Sequence, residues 1–167
     1  MGRQQQLSDT AYPFRSSTMT VEPAWIDYNG HLNMAYYNVL FDRAIDEAAI
    51  DLGLGPAYLA EAQASFYTAE AHIRYLLEIH AQDAVFCLTR LIGADEKRLH
   101  WWQELWRHGD HTLSATSEQI ALHVDMAAKR VTPFPGRILE RIALWRASDA
   151  LLPQPDGAGG RVSLKRQ

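Results

Sequence analysis

The stretch WIDYNGHLNMAYY at residues 25–37 joins a turn-rich loop to the start of a helix. Its first half contains Asp, Asn and Gly, the residue types that form turns. From Met34 onward the apolar residues recur every three or four positions, which places them on one face of a helix. Asn33 can cap the start of this helix, and Gly53 can adopt the left-handed conformation that ends it. The sequence therefore predicts a long helix over residues 34–52.

The segments outside this helix predict strands separated by turns. Apolar and polar residues alternate from residue 69 to residue 79, and a period of two is typical of a β-strand. The predicted strands are Tyr12–Val21, Ala69–Ile79, Ala84–Ile92, Arg98–Trp106 and Thr112–Val124, and a second helix is predicted at Arg137–Ser148. Short turns between the last four predicted strands favour an antiparallel meander of four strands, in which each strand pairs with the next one along the chain. This order predicts an α+β fold in which one antiparallel sheet covers the apolar helix.

The length and composition fit one globular domain. A chain of 167 residues is close to the size of a single domain, and 47% apolar with 22% charged residues is ordinary for a soluble protein. We expect this domain to span residues 10–148. The segment 153–167 consists mainly of Pro, Gly and polar residues, with too little apolar surface to offset the entropy of ordering. Residues 149–167 are therefore predicted to form a flexible tail.

Charge and cysteine content exclude several classes of partner. A net charge of −4 and an isoelectric point near 5.9 argue against nucleic acid, because phosphate binding needs a basic surface. The apolar runs are too short to cross a membrane, and the first 20 residues lack the apolar core of a signal peptide. One cysteine cannot form an intrachain disulfide, so we expect a cytoplasmic location. The histidines show no metal-binding spacing, which predicts neither metal nor cofactor.

Asp27 places a carboxylate six residues before the residue that caps the helix. The free N–H groups of the first helical turn can donate hydrogen bonds to a developing oxyanion. A carboxylate beside them can activate water or attack a carbonyl carbon itself. Together these groups suit the hydrolysis of a thioester. Asp, Asn and Gly residues also form ordinary turns, so a purely structural interpretation of the loop stays open.

This segment resembles the helix start of hotdog-fold acyl-CoA thioesterases, and more narrowly the 4-hydroxybenzoyl-CoA thioesterase branch, through the pattern Asp27-x-x-Gly30-His31-x-Asn33-x-Ala35-x-Tyr37. The resemblance implies a hotdog fold, in which an antiparallel sheet wraps around a long central helix. It implies that Asp27 is the catalytic carboxylate, with His31, Asn33 and Met34 as further candidates. Many relatives have a second Asn where this chain has Met34, so only a backbone role is expected there. Coenzyme A would enter as part of the substrate.

The resemblance also implies a homodimer, and it leaves open whether dimers pair into tetramers. Two-fold pairing would extend the sheet and build two sites at the interface. In such dimers the strand that carries Glu70 runs close to the partner's catalytic loop, which makes Glu70 a second candidate acid. Its alternation with His72 and Arg74 also fits a solvated strand face.

Large aromatic residues flank the candidate carboxylate. Trp25 and Tyr28 lie on either side of Asp27 in the sequence, and aromatic rings bind quaternary ammonium groups by cation–π attraction. Trp101 and Trp102 are candidates for further walls of such a site, although core packing is an alternative use for all four rings. Residues 25–31 also resemble a hotdog subgroup of bacterial carnitine breakdown, whose members hydrolyse betainyl-CoA.

Two other functions stay open at this point. A hotdog hydratase also uses an Asp and a His near a helix start, but it usually has a Pro in that loop, which this chain lacks. A non-catalytic acyl-CoA-binding module would need an additional recognition segment, and neither end of the chain offers a convincing one. Hydrolysis of a small acyl-CoA thioester is therefore the expected function.

Overall fold

A computed structural model describes residues 13–164 of the chain. In chain order the elements are β1 (Phe14–Arg15), β2 (Met19–Thr20), α1 (Met34–Leu52), α2 (Pro56–Ala62), β3 (Ala64–Tyr75), β4 (Ala84–Ala94), β5 (Arg98–Arg107), β6 (Thr112–Asp125), β7 (Arg130–Val131) and α3 (Gly136–Asp149). One turn of 3-10 helix at Pro23–Trp25 precedes the loop that leads into α1. The antiparallel sheet around a long helix confirms the predicted α+β fold.

Helix α1 has the predicted bounds because both of its caps form. The Asn33 side chain accepts a hydrogen bond from the Ala35 N–H at 3.0 Å, and Gly53 ends the helix with φ of 82°. The buried residues of α1 form one face: Tyr37, Leu40, Phe41, Ala44, Ile45, Ala48, Ala49 and Leu52. Three of them are alanines, so the sheet and α3 can approach the helix closely.

The sheet has the strand order β1-β4-β5-β6-β3, and every pair is antiparallel. Strands β4, β5 and β6 form the expected meander. The prediction that the preceding strand joins this meander beside β4 is wrong, because β3 pairs with β6 at the opposite edge. Residues 76–83 make this crossing possible: they leave the sheet, and Ile79 is buried against the start of α1.

Strand β3 begins five residues earlier than predicted and ends before Ile79. A register shift between Thr68 and Glu70 interrupts the pairing with β6. A bulge of this kind reverses which side chains face inward and which face outward. The alternation of apolar and polar residues therefore identifies only the part of the strand after the bulge. At the other end, the N–H groups of Leu76 and Leu77 both donate to the Ser114 carbonyl instead of continuing the ladder.

The first predicted strand is two short strands, β1 and β2, and its first residue Tyr12 lies outside the described residues. The interruption falls at Ser16, whose hydroxyl accepts a hydrogen bond from the Cys87 N–H at 2.9 Å. Cys87 lies in β4 and is fully buried. The short elements α2 and β7 were not predicted, although Pro56 at the first position of α2 is a helix-start signal.

The buried side chains form two clusters along α1. One surrounds its C-terminal half and includes Leu99, Trp101 and Trp145, and the other surrounds its N-terminal half and includes Leu40 and Leu105. Packing on both halves holds the helix at a fixed position against the sheet. The start of α1 is therefore a rigid support for the loop that precedes it.

Residues after α3 run back over the sheet. The Arg90 guanidinium donates to the Pro153 carbonyl at 2.8 Å, and the Gly159 N–H donates to the Glu118 carboxylate at 2.8 Å. Glu118 pairs with Trp102, which alternates with the core residue Trp101, so these contacts lie on the face opposite α1. The flexibility of residues 149–167 stays a prediction, and residues 10–12 and 165–167 lie outside the described residues.

Candidate active site

The loop before α1 is closed by its own hydrogen bonds. The Asp27 N–H donates to the His31 carbonyl at 3.1 Å, and the Gly30 N–H donates back to the Asp27 carbonyl at 3.0 Å. Gly30 has φ of 84°, which other residue types rarely adopt, so glycine is required for this turn. One oxygen of the Asp27 carboxylate accepts from the Asn29 N–H at 2.8 Å. This hydrogen bond fixes the direction of the Asp27 side chain.

The N–H groups at the start of α1 have different partners. The Asn33 N–H donates to the Trp25 carbonyl at 3.0 Å, and the Ala35 N–H donates to the Asn33 side chain at 3.0 Å. The Tyr36 N–H donates to the Asn33 carbonyl at 3.0 Å. The Met34 N–H has no acceptor among residues 13–164. Met34 therefore offers the available donor that the helix start was expected to provide.

Asp27, His31 and Met34 meet in one cavity of about 700 Å³. Three parts of the chain form it: the loop with the start of α1, the end of β3 with its connection to β4, and the end of β5. The other lining residues are Leu32, Tyr37, Tyr75, Leu76, Leu77, Glu78 and Arg107. The volume lies in the range of small-ligand sites. The residues that carry a carboxylate, an imidazole and an available backbone donor therefore line the same cavity.

The charges of the cavity are mainly negative. Asp27 and Glu78 contribute two carboxylates, and His31 Nε2 lies 3.8 Å from Glu78 Oε1. Arg107 is the one Lys or Arg among the described residues of the lining, and its Nε donates to Asp110 Oδ1 at 2.9 Å. The hydrogen bond from Arg107 holds the pKa of the Asp110 carboxyl well below its usual range. Because Asp110 compensates the guanidinium, the net charge facing the cavity is negative.

Two tyrosines, neither of them predicted as a site residue from the sequence, form a corner of the cavity. The ring centroids of Tyr37 and Tyr75 are 5.0 Å apart, and the ring planes meet at 77°. Burial raises the pKa of both phenols, so both are neutral at physiological pH. Tyr37 belongs to the motif at the helix start, but its position on the apolar face predicted only core packing. Tyr75 had no signal in the sequence beyond its place in a strand.

The aromatic residues proposed as substrate contacts do not line this cavity. Trp25 is only 7% exposed: its ring stacks on Tyr36 at 5.4 Å and lies 5.1 Å from the Arg43 guanidinium. Tyr28 is 97% exposed. The two tryptophans of β5 that were candidates are buried, Trp101 in the core and Trp102 on the opposite face of the sheet. Neighbours of Asp27 in sequence thus point away from it, because successive residues of a turn face different directions.

Glu70 does not line the Asp27 cavity. It is exposed on β3 and lines two smaller depressions, in one of which it lies with His72 and His100. His100 Nε2 lies 2.7 Å from Glu118 Oε1. Any role of Glu70 in the site therefore needs a second protomer. Between residues 13 and 164, no group of three or more His, Cys, Asp or Glu side chains is placed to hold a metal ion.

The fold and the site together define a class of protein. A long helix wrapped by an antiparallel sheet, with Asp27 and Met34 lining one cavity at the helix start, is the arrangement that the resemblance to hotdog thioesterases implies. The chain belongs to the thioesterase-like superfamily, whose sequence model matches residues 21–142. This match confirms the family resemblance predicted from residues 25–37. Over the described range 13–164, no helix is long and apolar enough to cross a membrane.

Curated proteins similar in sequence to this chain include named thioesterases. The chain is 36% identical over 144 residues to the betainyl-CoA thioesterase of Pseudomonas aeruginosa, covering 86% of this chain and 91% of the relative. It is also 36% identical over 158 residues to the L-carnitine dehydrogenase/betainyl-CoA thioesterase of Rhizobium meliloti. That match covers 95% of this chain but 32% of the relative, so the chain spans about a third of the length of the bifunctional protein.

Solved structures confirm the hotdog fold. A Staphylococcus aureus protein determined in complex with CoA superposes with a TM-score of 0.83 at 26% identity, covering 91% of this chain and 95% of that one. A putative thioesterase from Pseudomonas putida gives a TM-score of 0.78 at 31% identity, covering 92% of this chain and 97% of that one. The similarity extends over nearly the whole chain in both cases.

Proposed function

We propose that the protein hydrolyses a small acyl-CoA thioester, betainyl-CoA, to the free acid and CoA. The observation that carries this proposal is a cavity that both Asp27 and Met34 line. Thioester hydrolysis needs a base or nucleophile on one side of the carbonyl carbon and a hydrogen-bond donor at its oxygen. The Asp27 carboxylate and the Met34 N–H are groups of these two kinds.

The reaction follows from these two groups. As a base, Asp27 takes a proton from water while the water oxygen bonds to the carbonyl carbon. The oxyanion of the tetrahedral intermediate accepts a hydrogen bond from the Met34 N–H. The C–S bond then breaks, and the CoA sulfur leaves with the proton that Asp27 held. In the alternative, the Asp27 carboxylate attacks the carbonyl carbon, the C–S bond breaks and CoA leaves as a thiolate; water then cleaves the mixed anhydride to the free acid and the Asp27 carboxylate, and the proton that the water loses makes the thiol of CoA. In either case His31 assists by orienting the carbonyl or supporting Asp27.

The charge of the cavity supports a cationic acyl group. The betainyl group carries a trimethylammonium one methylene from the thioester carbonyl, and the lining contributes the carboxylates of Asp27 and Glu78. Two curated relatives with this activity in their names are each 36% identical to the chain. Coenzyme A enters as part of the substrate. The proposal includes no separate cofactor, and it assigns the reaction to the cytoplasm.

The exposed edge of the sheet supports a homodimer. Strand β3 is 12 residues long, ends the strand order, and is exposed throughout residues 67–71. An open edge of this length presents unpaired backbone groups that a second copy can satisfy by two-fold pairing. Such pairing would bring a partner strand alongside each cavity and give Glu70 access to the other protomer's site.

The test is release of free thiol from a panel of acyl-CoAs by the wild type and by Asp27→Asn. Betainyl-CoA is expected to be the best substrate, ahead of aromatic and long-chain acyl-CoAs. Asp27→Asn should lower kcat roughly 10²- to 10⁴-fold, because it removes the charge that activates water. Its amide oxygen can still accept from the Asn29 N–H, so the turn should persist. Near-normal kcat in this variant would remove Asp27 from the mechanism.

The same panel separates the alternative functions. A hydratase would add water to an enoyl-CoA without releasing thiol, which the loss of enoyl absorbance would reveal. A non-catalytic module would bind acyl-CoA and leave it unchanged. Absence of thiol release from every acyl-CoA in the panel would contradict the proposed hydrolysis.

A further inference from the structure

The corner formed by Tyr37 and Tyr75 has the shape of a site for a compact cation. Tyr75 is 45% exposed and provides an open aromatic wall, whereas Tyr37 is 4% exposed and closes the corner. The ring planes meet at 77° with centroids 5.0 Å apart, so the two walls are nearly perpendicular. Quaternary ammonium groups bind between aromatic walls of this kind.

We propose that Tyr37, Tyr75 and Glu78 form the subsite that selects a trimethylammonium acyl group. This inference rests on the proposed thioesterase function and adds the residues that determine its specificity. All three side chains line the cavity that contains Asp27. Neither tyrosine is among the aromatic residues that the sequence predicted as substrate contacts.

The subsite lies beside the position expected for the reacting carbonyl. The Tyr75 hydroxyl donates a long hydrogen bond of 3.4 Å to the carbonyl of Met34, the residue whose N–H is the oxyanion donor. The Tyr37 hydroxyl donates over the same distance, 3.4 Å, to the Leu77 carbonyl. These contacts hold both rings near the start of α1. A cation that reaches the rings must therefore lie close to the carbonyl, as in an acyl group with a single methylene between them.

Glu78 supplies the charge that the rings lack. Its side chain is 66% exposed, and its nearest ion-pair partners are His31 at 3.8 Å and His80 at 4.0 Å. Arg107 does not cancel this charge, because Asp110 already compensates the guanidinium. A carboxylate at the mouth of an aromatic corner attracts a trimethylammonium group but gives no attraction to an uncharged group of the same shape.

The experiment compares two substrates that differ only in charge. Values of kcat/KM are measured for betainyl-CoA and for its neutral isostere, 3,3-dimethylbutyryl-CoA, with the wild type, Tyr75→Leu, Tyr75→Phe and Glu78→Gln. The ratio of the two values should fall roughly 2- to 30-fold in Tyr75→Leu, the range of one aromatic contact with a cation. Tyr75→Phe keeps the ring and should keep the ratio. Glu78→Gln keeps the shape and should lower the ratio.

Tyr28→Leu is the matched control, because Tyr28 is a tyrosine next to Asp27 in the sequence, is 97% exposed and lies outside the Asp27 cavity. It should leave the ratio unchanged. An unchanged ratio in both Tyr75→Leu and Glu78→Gln would overturn the subsite, and so would an equal fall in Tyr28→Leu. If Asp27-dependent hydrolysis persists in these cases, only the subsite fails. If the wild type cleaves neither substrate, the proposed function itself fails.

Discussion

Asn33 gives the sharpest test of how the helix start contributes to both stability and catalysis. Its side chain accepts the Ala35 N–H at 3.0 Å and caps a helix of 19 residues. Asn33→Ala removes this acceptor and should cost about 1 kcal/mol of unfolding free energy, within a range of about 0.5 to 2. For a domain of this size, that loss corresponds to a fall in Tm of about 2–4 °C.

Two further substitutions separate the cap from the chemistry. Asn33→Ser retains a capping oxygen and should keep both stability and kcat close to wild type. Asn33→Asp also retains the cap and should stabilise the helix by about 0.3–1 kcal/mol through the helix dipole. Its new carboxylate stands next to the Met34 N–H, where the oxyanion develops. Each 1.4 kcal/mol of repulsion there lowers kcat about tenfold.

The assay pairs urea unfolding with thiol release for the three variants. Asn33→Ala is expected to lose stability without the fall in kcat expected for Asn33→Asp. Asn33→Ser should change little in either measurement. Asn33→Asp should combine a low kcat with full stability. An unchanged stability in Asn33→Ala would refute the capping argument. A kcat for Asn33→Asp equal to that of the wild type would refute the placement of the oxyanion at the helix start.

Two other predictions concern the phenol of Tyr37 and the edge of the sheet. Burial raises the pKa of Tyr37, so the folded protein retains its proton when the unfolded chain loses it near pH 10. Stability should therefore fall as pH rises above about 10, by up to about 1.4 kcal/mol per pH unit for this group. Tyr37→Phe should flatten the decline in urea unfolding, and an identical decline would contradict this origin. Sedimentation at micromolar concentration should show at least a dimer, with a tetramer as the larger alternative. Tyr67→Lys places a charge on the β3 edge and should shift the protein from dimer towards monomer. A wild-type protein that sediments as a monomer would exclude the β3 pairing.

The helix and its loop could be predicted because their signals are local. Asn33, Gly53 and the apolar period between them lie within α1 or at its ends, so no distant contact is needed to set its bounds. Asp27, His31 and Met34 share a cavity for the same reason. Strand pairing depends on residues that are distant in the sequence, so its order could not be predicted in the same way. The bulge after Thr68 interrupts the alternation of apolar and polar residues, and the start of β3 was therefore missed.

The remaining walls of the site could not be predicted from the sequence. Tyr75 and Glu78 stand more than 40 positions after Asp27, and Arg107 stands farther still. They meet only because β3 crosses to the far edge of the sheet and its connection returns over the start of α1. Trp25 and Tyr28 were the natural candidates by proximity in sequence. The turn instead directs one ring into the core and the other into solvent.

The burial of Cys87 has a practical consequence for all of these measurements. It is the chain's one cysteine, it is fully buried in β4, and burial raises the pKa of its thiol well above the ordinary value. Thiolate is the reactive form, so the folded protein should be silent towards an aromatic disulfide reagent that reports free CoA. Unfolding would expose one thiol per chain. The same reagent can therefore count product in the native protein and count unfolded molecules in urea.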